Sequence, residues 1–148
     1  MAGDKSKRFI LWFNEIGIED IPMVGGKNAS LGEMYQKLHQ QGINIPNGFA
    51  ITAYAYRYFL KYAGIEDEIK KILKDLDTHD LSNLMRKGRE VRDIIRHAEF
   101  PPDLTQAVYL GYDKLAEEFG LGGMDNLDVV ICLLAIVEDL SDAFFVGQ

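Results

Sequence analysis

Apolar residues recur at helical spacing through the middle of the chain, and this periodicity limits the fold more than any other feature. Three consecutive stripes lie between Ile65 and Phe119. Their apolar members are Ile65, Ile69, Leu73 and Leu76; Leu81, Leu84, Met85, Gly88, Val91 and Ile95; and Leu104, Val108, Leu115 and Phe119. A further helix is predicted from Ala53 to Ala63, because Thr52 can cap its start and Gly64 can close it. Most of the chain is therefore predicted to be helical.

Three short segments have strand character instead. Phe9 to Phe13 is aromatic and aliphatic. Phe49 and Ile51 alternate with small residues after Pro46, Asn47 and Gly48, and the β-branched run from Val129 to Ile131 predicts a late strand beside the first. The 148 residues are 47% hydrophobic and 26% charged, as in an ordinary folded protein. No linker is long enough to separate two domains. The sequence therefore predicts one α+β domain over residues 1–148, rich in helices and with a small sheet.

The charge balance argues against two classes of partner. The formal net charge is -7, whereas nonspecific binding to nucleic acid or anionic lipid draws on clustered positive charge. No signal peptide or membrane-spanning segment is visible, and the single cysteine, Cys132, allows no disulfide within the chain. We therefore expect a cytoplasmic protein that binds neither nucleic acid nor membrane.

A glycine-rich turn, VGGKNASLGEM from Val24 to Met34, leads into a further helical stripe. Glycines let the backbone approach a phosphate, and Lys27 adds a positive charge at the start of a helix, where the N–H groups and the dipole favour an anion. Two adjacent glycines before a lysine also occur in ordinary helix-entry turns, and the spacing is not that of a Walker loop. Ser30 and Glu33 also have the spacing of a capping box, so the sequence allows the helix to begin either at the glycine pair or after Ser30. From these residues alone, a phosphate site and a plain turn both stay possible.

The segment VGGKNASLGEM resembles the start of the nucleotide-binding domain of phosphoenolpyruvate synthases (pyruvate, water dikinases) and, more loosely, that of pyruvate, phosphate dikinases. Two further segments resemble later motifs of the family in the same order: IPNGFAIT, from Ile45 to Thr52, and EDLSDAFFVGQ, from Glu138 to Gln148. The three motifs span almost the whole chain. The chain is therefore identified as similar to the N-terminal subdomain of a phosphoenolpyruvate synthase ATP-binding domain, truncated after the GQ motif.

This resemblance implies a partial ATP-grasp-type fold and the use of ATP and Mg²⁺. In the family, a kinase-type phosphotransferase, the β-phosphate of ATP passes through a phosphohistidine on a separate domain to pyruvate. Lys27 matches the family lysine that contacts ATP phosphates, and Gly147 matches a glycine whose backbone lies near the nucleotide. We therefore expect nucleotide contacts from Lys27 and Gly147, and we assign no catalytic residue and no metal ligand.

One segment departs from the family pattern. Where the family reads like VRSSATAEDL, this chain has ICLLAIVEDL, so the arginine that grips phosphate falls at Cys132. A cysteine lacks the charge and the forked donors of arginine. One interpretation is that the strand has become core, with Cys132 packed as a small hydrophobe. The alternative is a catalytic thiol, for which neither His39, His79 nor His97 is an assignable base.

Two functions follow from these observations. The first is an ATP-binding subdomain that binds nucleotide weakly, alone or with a separately encoded remainder of the enzyme, and does not catalyse the family reaction by itself. The second is a degenerate non-catalytic remnant or protein-interaction module. In that case an apolar C-terminal segment, from Val129 to Val137 and from Phe144 to Val146, would form a homodimer.

Overall fold

The computed structural model describes residues 4–122 and 127–132, and these residues form six helices and two strands. The helices are α1 (Ile21–Val24), α2 (Gly26–His39), α3 (Ala53–Tyr62), α4 (Glu66–Leu73), α5 (Leu81–His97) and α6 (Pro102–Glu118), and the strands are β1 (Ile10–Trp12) and β2 (Phe49–Ile51). The prediction of a helix-rich α+β fold with a small sheet is confirmed. In the part of the chain that the structure describes, no helix combines the length and the apolar character needed to cross a membrane.

The sheet is an antiparallel pair of β1 and β2, in which Leu11 lies opposite Ala50. Both of these residues are buried. The predicted late strand is wrong over the residues described, because 127–132 form no regular structure. Val130 is 90% exposed and Ile131 is 75% exposed. A β-branched run favours a strand only where a neighbouring strand offers side chains to pack against, and residues 127–132 pair with neither β1 nor β2.

The chain divides into two compact units: Met1–Ala55 with Ala107–Gln148, and Tyr56–Gln106. The first unit contains both strands, α1 and α2, and the second contains α4 and α5. A single domain over residues 1–148 stays a prediction.

The core of the first unit lies where α2 packs on the turns that follow β1. Its buried residues are Leu11, Ile16, Val24, Ala29 and Ala50. A Cβ added at Gly32 would lie 2.4 Å from the carbonyl oxygen of Ile16 and 2.8 Å from its Cβ. Only glycine therefore allows α2 to approach this backbone so closely.

Side chains of α2 also satisfy polar backbone groups of the segment 13–20. The amide Nε2 of Gln36 donates to the carbonyl oxygen of Ile16 at 2.6 Å, and the Glu33 carboxylate accepts from the Ile18 N–H at 3.3 Å. The hydrogen bond from Lys37, and then that from Ile18, lower the pKa of Glu33. Because α2 begins at Gly26, Ser30 and Glu33 do not form the capping box that their spacing suggested.

An ion pair between a buried carboxylate and a partly exposed lysine lies on the other side of this segment. Asp20 is buried, and its Oδ2 accepts from the Lys5 ammonium at 2.8 Å and from the Gly17 N–H at 2.9 Å. The ammonium of Lys5 also donates to the carbonyl oxygen of Glu15 at 2.5 Å. A buried carboxylate is tolerated when it is paired and hydrogen-bonded in this way. The pair therefore helps to hold the chain where it enters α1.

The capping residue of α3 is the one that the sequence predicted. Thr52 Oγ1 accepts from the Ala55 N–H at 3.1 Å, and the same hydroxyl donates to the carbonyl oxygen of Arg8 at 2.6 Å. One side chain thus begins α3 and ties it to the chain just before β1.

In the second unit, the apolar stripe predicted for α5 is only partly correct. Leu81 is 68% exposed and Met85 is 61% exposed, whereas Lys87 is buried and its ammonium donates to the carbonyl oxygen of Ile72. Periodicity predicts which residues share a helix face, but a face is buried only where another element covers it. The long Lys87 stem packs inside because its charged end finds a backbone carbonyl.

Helix propensity alone predicts that replacing a glycine inside a helix by alanine stabilises the protein. At Gly32 the close approach to Ile16 predicts the opposite, a loss of stability. Gly32→Ala should lower the free energy of unfolding by about 1 to 3 kcal/mol, because the added methyl overlaps the carbonyl oxygen and the Cβ of Ile16. Gly88→Ala in α5 is the control, since its Cβ would meet only the mobile end of Arg92, at 3.3 Å. There alanine should raise stability by up to about 1 kcal/mol. Urea denaturation measures both, and equal stabilities for the two variants would contradict this packing account.

Candidate functional site

The turn between α1 and α2 depends on a glycine. Helix α1 ends at Val24, Gly25 has φ 79° and ψ 157°, and α2 begins at Gly26. A positive φ of this kind is strained for residues with a Cβ, so the position favours glycine. The Gly25 N–H donates to the Ile21 carbonyl at 2.8 Å, and the Gly25 carbonyl accepts from the Ala29 N–H at 3.0 Å. The chain therefore changes direction at one residue that hydrogen-bonds to both helices.

The N-terminus of α2 is open to an anion. Its N-cap is Gly25, which has no side chain to satisfy the N–H groups of the first turn, and the first turn contains no acidic residue. These N–H groups have no partner within a helix, and the dipole gives this end about half a positive charge. Lys27 lies in this first turn, as the motif predicted, and is exposed. A lysine and unpaired N–H groups at one helix end suit a phosphate.

Lys27 and Cys132 lie together. The ammonium Nζ of Lys27 is 3.3 Å from Sγ of Cys132, and Cys132 is exposed. The interpretation of Cys132 as a buried core residue is therefore wrong, because the segment 127–132 packs on no strand and leaves the thiol at the surface. Two positions that the family resemblance associates with phosphate, the lysine and the position of the missing arginine, are neighbours in space.

The three histidines have other neighbours. His39 stacks on Tyr35 in the last turns of α2, with the ring centroids 5.2 Å apart. In α5, Nδ1 of His97 lies 2.7 Å from the carbonyl oxygen of Asp93. The backbone N–H of His79 donates to the carboxylate of Asp77. The contact described for Cys132 is with Lys27. The contacts described for the three histidines therefore give no support to a catalytic thiol that is activated by a histidine.

Gly147, the second predicted nucleotide contact, lies outside the described residues. The same holds for Leu133, Leu134 and Ile136, the apolar replacements after Cys132, and for the predicted C-terminal dimer segment beyond residue 132. Their roles stay predictions.

A metal ion and an anion need different charged and polar groups from the described residues. Within 4–122 and 127–132, no group of three histidine, cysteine, aspartate or glutamate side chains is placed to hold a metal ion. The start of α2, in contrast, offers positive charge and N–H donors, which fit phosphate oxygens.

One polar side chain of the turn was not predicted from the sequence. Asn28 Nδ2 donates to the carbonyl oxygen of Val24 at 2.9 Å, across the break between α1 and α2. Asparagine in the first turn of a helix often bonds to nearby backbone, which is the signal that could have identified it.

Comparison with known proteins identifies the family of the chain. Residues 21–148 match the family described as pyruvate phosphate dikinase, AMP/ATP-binding domain. The chain belongs to this family, as the three sequence motifs indicated.

Three curated relatives are named phosphoenolpyruvate synthase. The protein of Aquifex aeolicus is 50% identical over 148 residues, which is 100% of this chain and 17% of the relative. The Synechocystis protein is 44% identical over 145 residues, covering 97% of this chain and 18% of the relative. The Escherichia coli protein is 36% identical over 148 residues, covering 100% of this chain and 18% of the relative. The chain thus spans less than a fifth of the length of these relatives.

Proposed function

We propose that these residues are the N-terminal part of an ATP-grasp-type ATP-binding domain and bind the phosphates of ATP at the start of α2. The observation that carries this proposal is Lys27 in the first turn of a helix whose N-terminus has neither an acidic residue nor a capping side chain. Membership of an ATP-binding family supports it independently.

In the proposed complex, phosphate oxygens accept hydrogen bonds from backbone N–H groups of Gly26, Lys27 and Asn28, and the Lys27 ammonium adds a charge-assisted contact. The open space around the Cα of Gly26, where an added Cβ would meet nothing within 4 Å, leaves room for the ligand. Gly147 is proposed to approach the nucleotide with its backbone. ATP is expected to arrive with Mg²⁺, whose ligands we assign to other parts of the protein.

Binding by these residues alone should be weak. Cys132 supplies no charge where the family resemblance places an arginine, and the positive charge described beside it is that of Lys27. A hydrogen bond to a charged group contributes about 1.5 to 3 kcal/mol, so one missing arginine weakens binding about tenfold or more.

The name of the relatives, phosphoenolpyruvate synthase, suggests the reaction of a longer protein. We propose that such a protein phosphorylates pyruvate at the expense of ATP through a phosphohistidine, and that the present residues contribute phosphate binding. Phosphoryl transfer is catalysed mainly by positioning and electrostatics. The proposed site contacts only the phosphates of the nucleotide. Residues 1–148 by themselves should therefore not catalyse phosphoryl transfer. The remainder of the enzyme, continuous or separately encoded, is then the principal partner.

The first test removes the lysine. Lys27→Ala should weaken binding of Mg·ATP about tenfold or more, measured by isothermal titration calorimetry at low salt. Lys37→Ala is the matched control, since it removes the same charge from the last turn of the same helix, where Lys37 pairs with Glu33. Micromolar binding that survives Lys27→Ala would refute the proposal.

The second test restores the charge. Cys132→Arg should strengthen Mg·ATP binding about tenfold, because residue 132 lies beside Lys27 and an arginine fork reaches the same phosphates. Cys132→Ser keeps the size of the side chain and adds no charge, so its affinity should equal that of the unsubstituted chain. An arginine variant that binds no better than the serine variant would show that the two positions do not share a ligand.

A second candidate, a protein-interaction module, is favoured by one observation. Val130 and Ile131 are two large apolar side chains that the structure leaves largely exposed. Exposed apolar residues of this kind favour association, and a symmetric dimer is its commonest closed form. The segment from Val129 onward is then a contact surface.

Light scattering at micromolar concentration tests this candidate. A dimer is expected, and the double substitution Val130→Asp with Ile131→Asp should convert it to a monomer, because two charges cannot be buried unpaired. Ile43→Asp, a change of the same kind at another exposed isoleucine, should leave the dimer intact. A monomer of 16.7 kDa before any substitution would reject the module.

A further inference from the structure

We propose that Asn28 is the positioning residue of the phosphate site, because its side chain holds the turn at Gly25 in the shape that opens α2 toward a ligand. This inference rests on the proposed function, and it concerns a contact that the family resemblance did not predict: Asn28 Nδ2 to the Val24 carbonyl oxygen, 2.9 Å.

The contact replaces a backbone hydrogen bond. In an uninterrupted helix the carbonyl of Val24 would accept the backbone N–H of Asn28, four residues later. Here α1 ends at Val24 and α2 begins at Gly26, with Gly25 at φ 79° between them. The carbonyl accepts the side-chain amide of Asn28 instead. One residue thus supplies from its side chain the donor that its backbone would have used.

This replacement has an energetic reason. Val24 is 1% exposed and belongs to the core cluster, so its carbonyl needs a partner within the protein. A buried carbonyl without a partner costs more than the hydrogen bond itself contributes. The Asn28 amide therefore allows the chain to break at Gly25 without that penalty.

The replacement also releases donors for a ligand. With the Val24 carbonyl bonded to the side chain, the backbone N–H of Asn28 joins those of Gly26 and Lys27 in the first turn of α2. Three successive N–H groups at a helix start form an anion site of the usual kind. Asn28 contributes its backbone to the ligand and its side chain to the turn behind it.

Asn28→Ala tests the inference, with Ser30→Ala as the control, because Ser30 is exposed on the same helix and its substitution also removes a polar side-chain group. The first measurement is amide hydrogen exchange without nucleotide. Asn28→Ala should speed exchange about threefold to tenfold at Gly25 and Ala29, whose N–H groups bridge the turn, and leave β1 unchanged. Ser30→Ala should change neither. Unaltered exchange at Gly25 in Asn28→Ala would overturn the inference.

The second measurement is the affinity for Mg·ATP in a double-mutant cycle with Lys27→Ala. Asn28→Ala should weaken binding about threefold to tenfold, and the loss should shrink when Lys27 is already absent, because both act on the same phosphates. A residue that only stabilises the fold would produce additive losses, and additivity would overturn the inference. Absence of binding to the unsubstituted chain would refute the proposed function, and the exchange result would still decide whether Asn28 holds the turn.

Discussion

The close approach of Gly32 to Ile16 is the contact on which the first unit depends. Because no Cβ intervenes, α2 lies directly against the turns after β1, and Gln36 can reach the Ile16 carbonyl. The segment 13–20 then leads into α1 with several of its backbone groups hydrogen-bonded to side chains. The position of the first turn of α2, and with it the direction of Lys27, follows from this packing at the middle of the helix. A side chain in place of Gly32 would act at a distance on the proposed phosphate site.

Much of this arrangement was predictable, because it rests on local chemistry. The apolar segment at β1, the short strand that follows Pro46, Asn47 and Gly48, and the cap at Thr52 each specify structure within a few residues, and all three predictions are confirmed. The helix start at the glycine pair was predictable for the same reason. The family could also be recognised from the sequence, because the resemblance rests on short motifs and their order, neither of which depends on how the chain packs.

The errors arose where packing decides. The β-branched run at Val129 favours a strand by propensity, yet residues 127–132 pair with no strand, and Cys132 consequently lies at the surface beside Lys27 rather than in the core. Lys87 is buried although its charge predicts exposure, since the Ile72 carbonyl accepts its ammonium. The bond from Asn28 to Val24 depends on the backbone angle at Gly25, which a sequence does not display.

The most direct test of the central claim, phosphate binding at the start of α2, is an amide NMR titration of the ¹⁵N-labelled chain with Mg·ATP. The account predicts that the signals of Gly25, Gly26 and Lys27 shift first and furthest, and that inorganic tripolyphosphate shifts the same signals, because the site recognises phosphate rather than the base. Signals of α5 should stay in place and serve as the internal reference. Shifts that spare these three residues at saturating ATP would contradict the account.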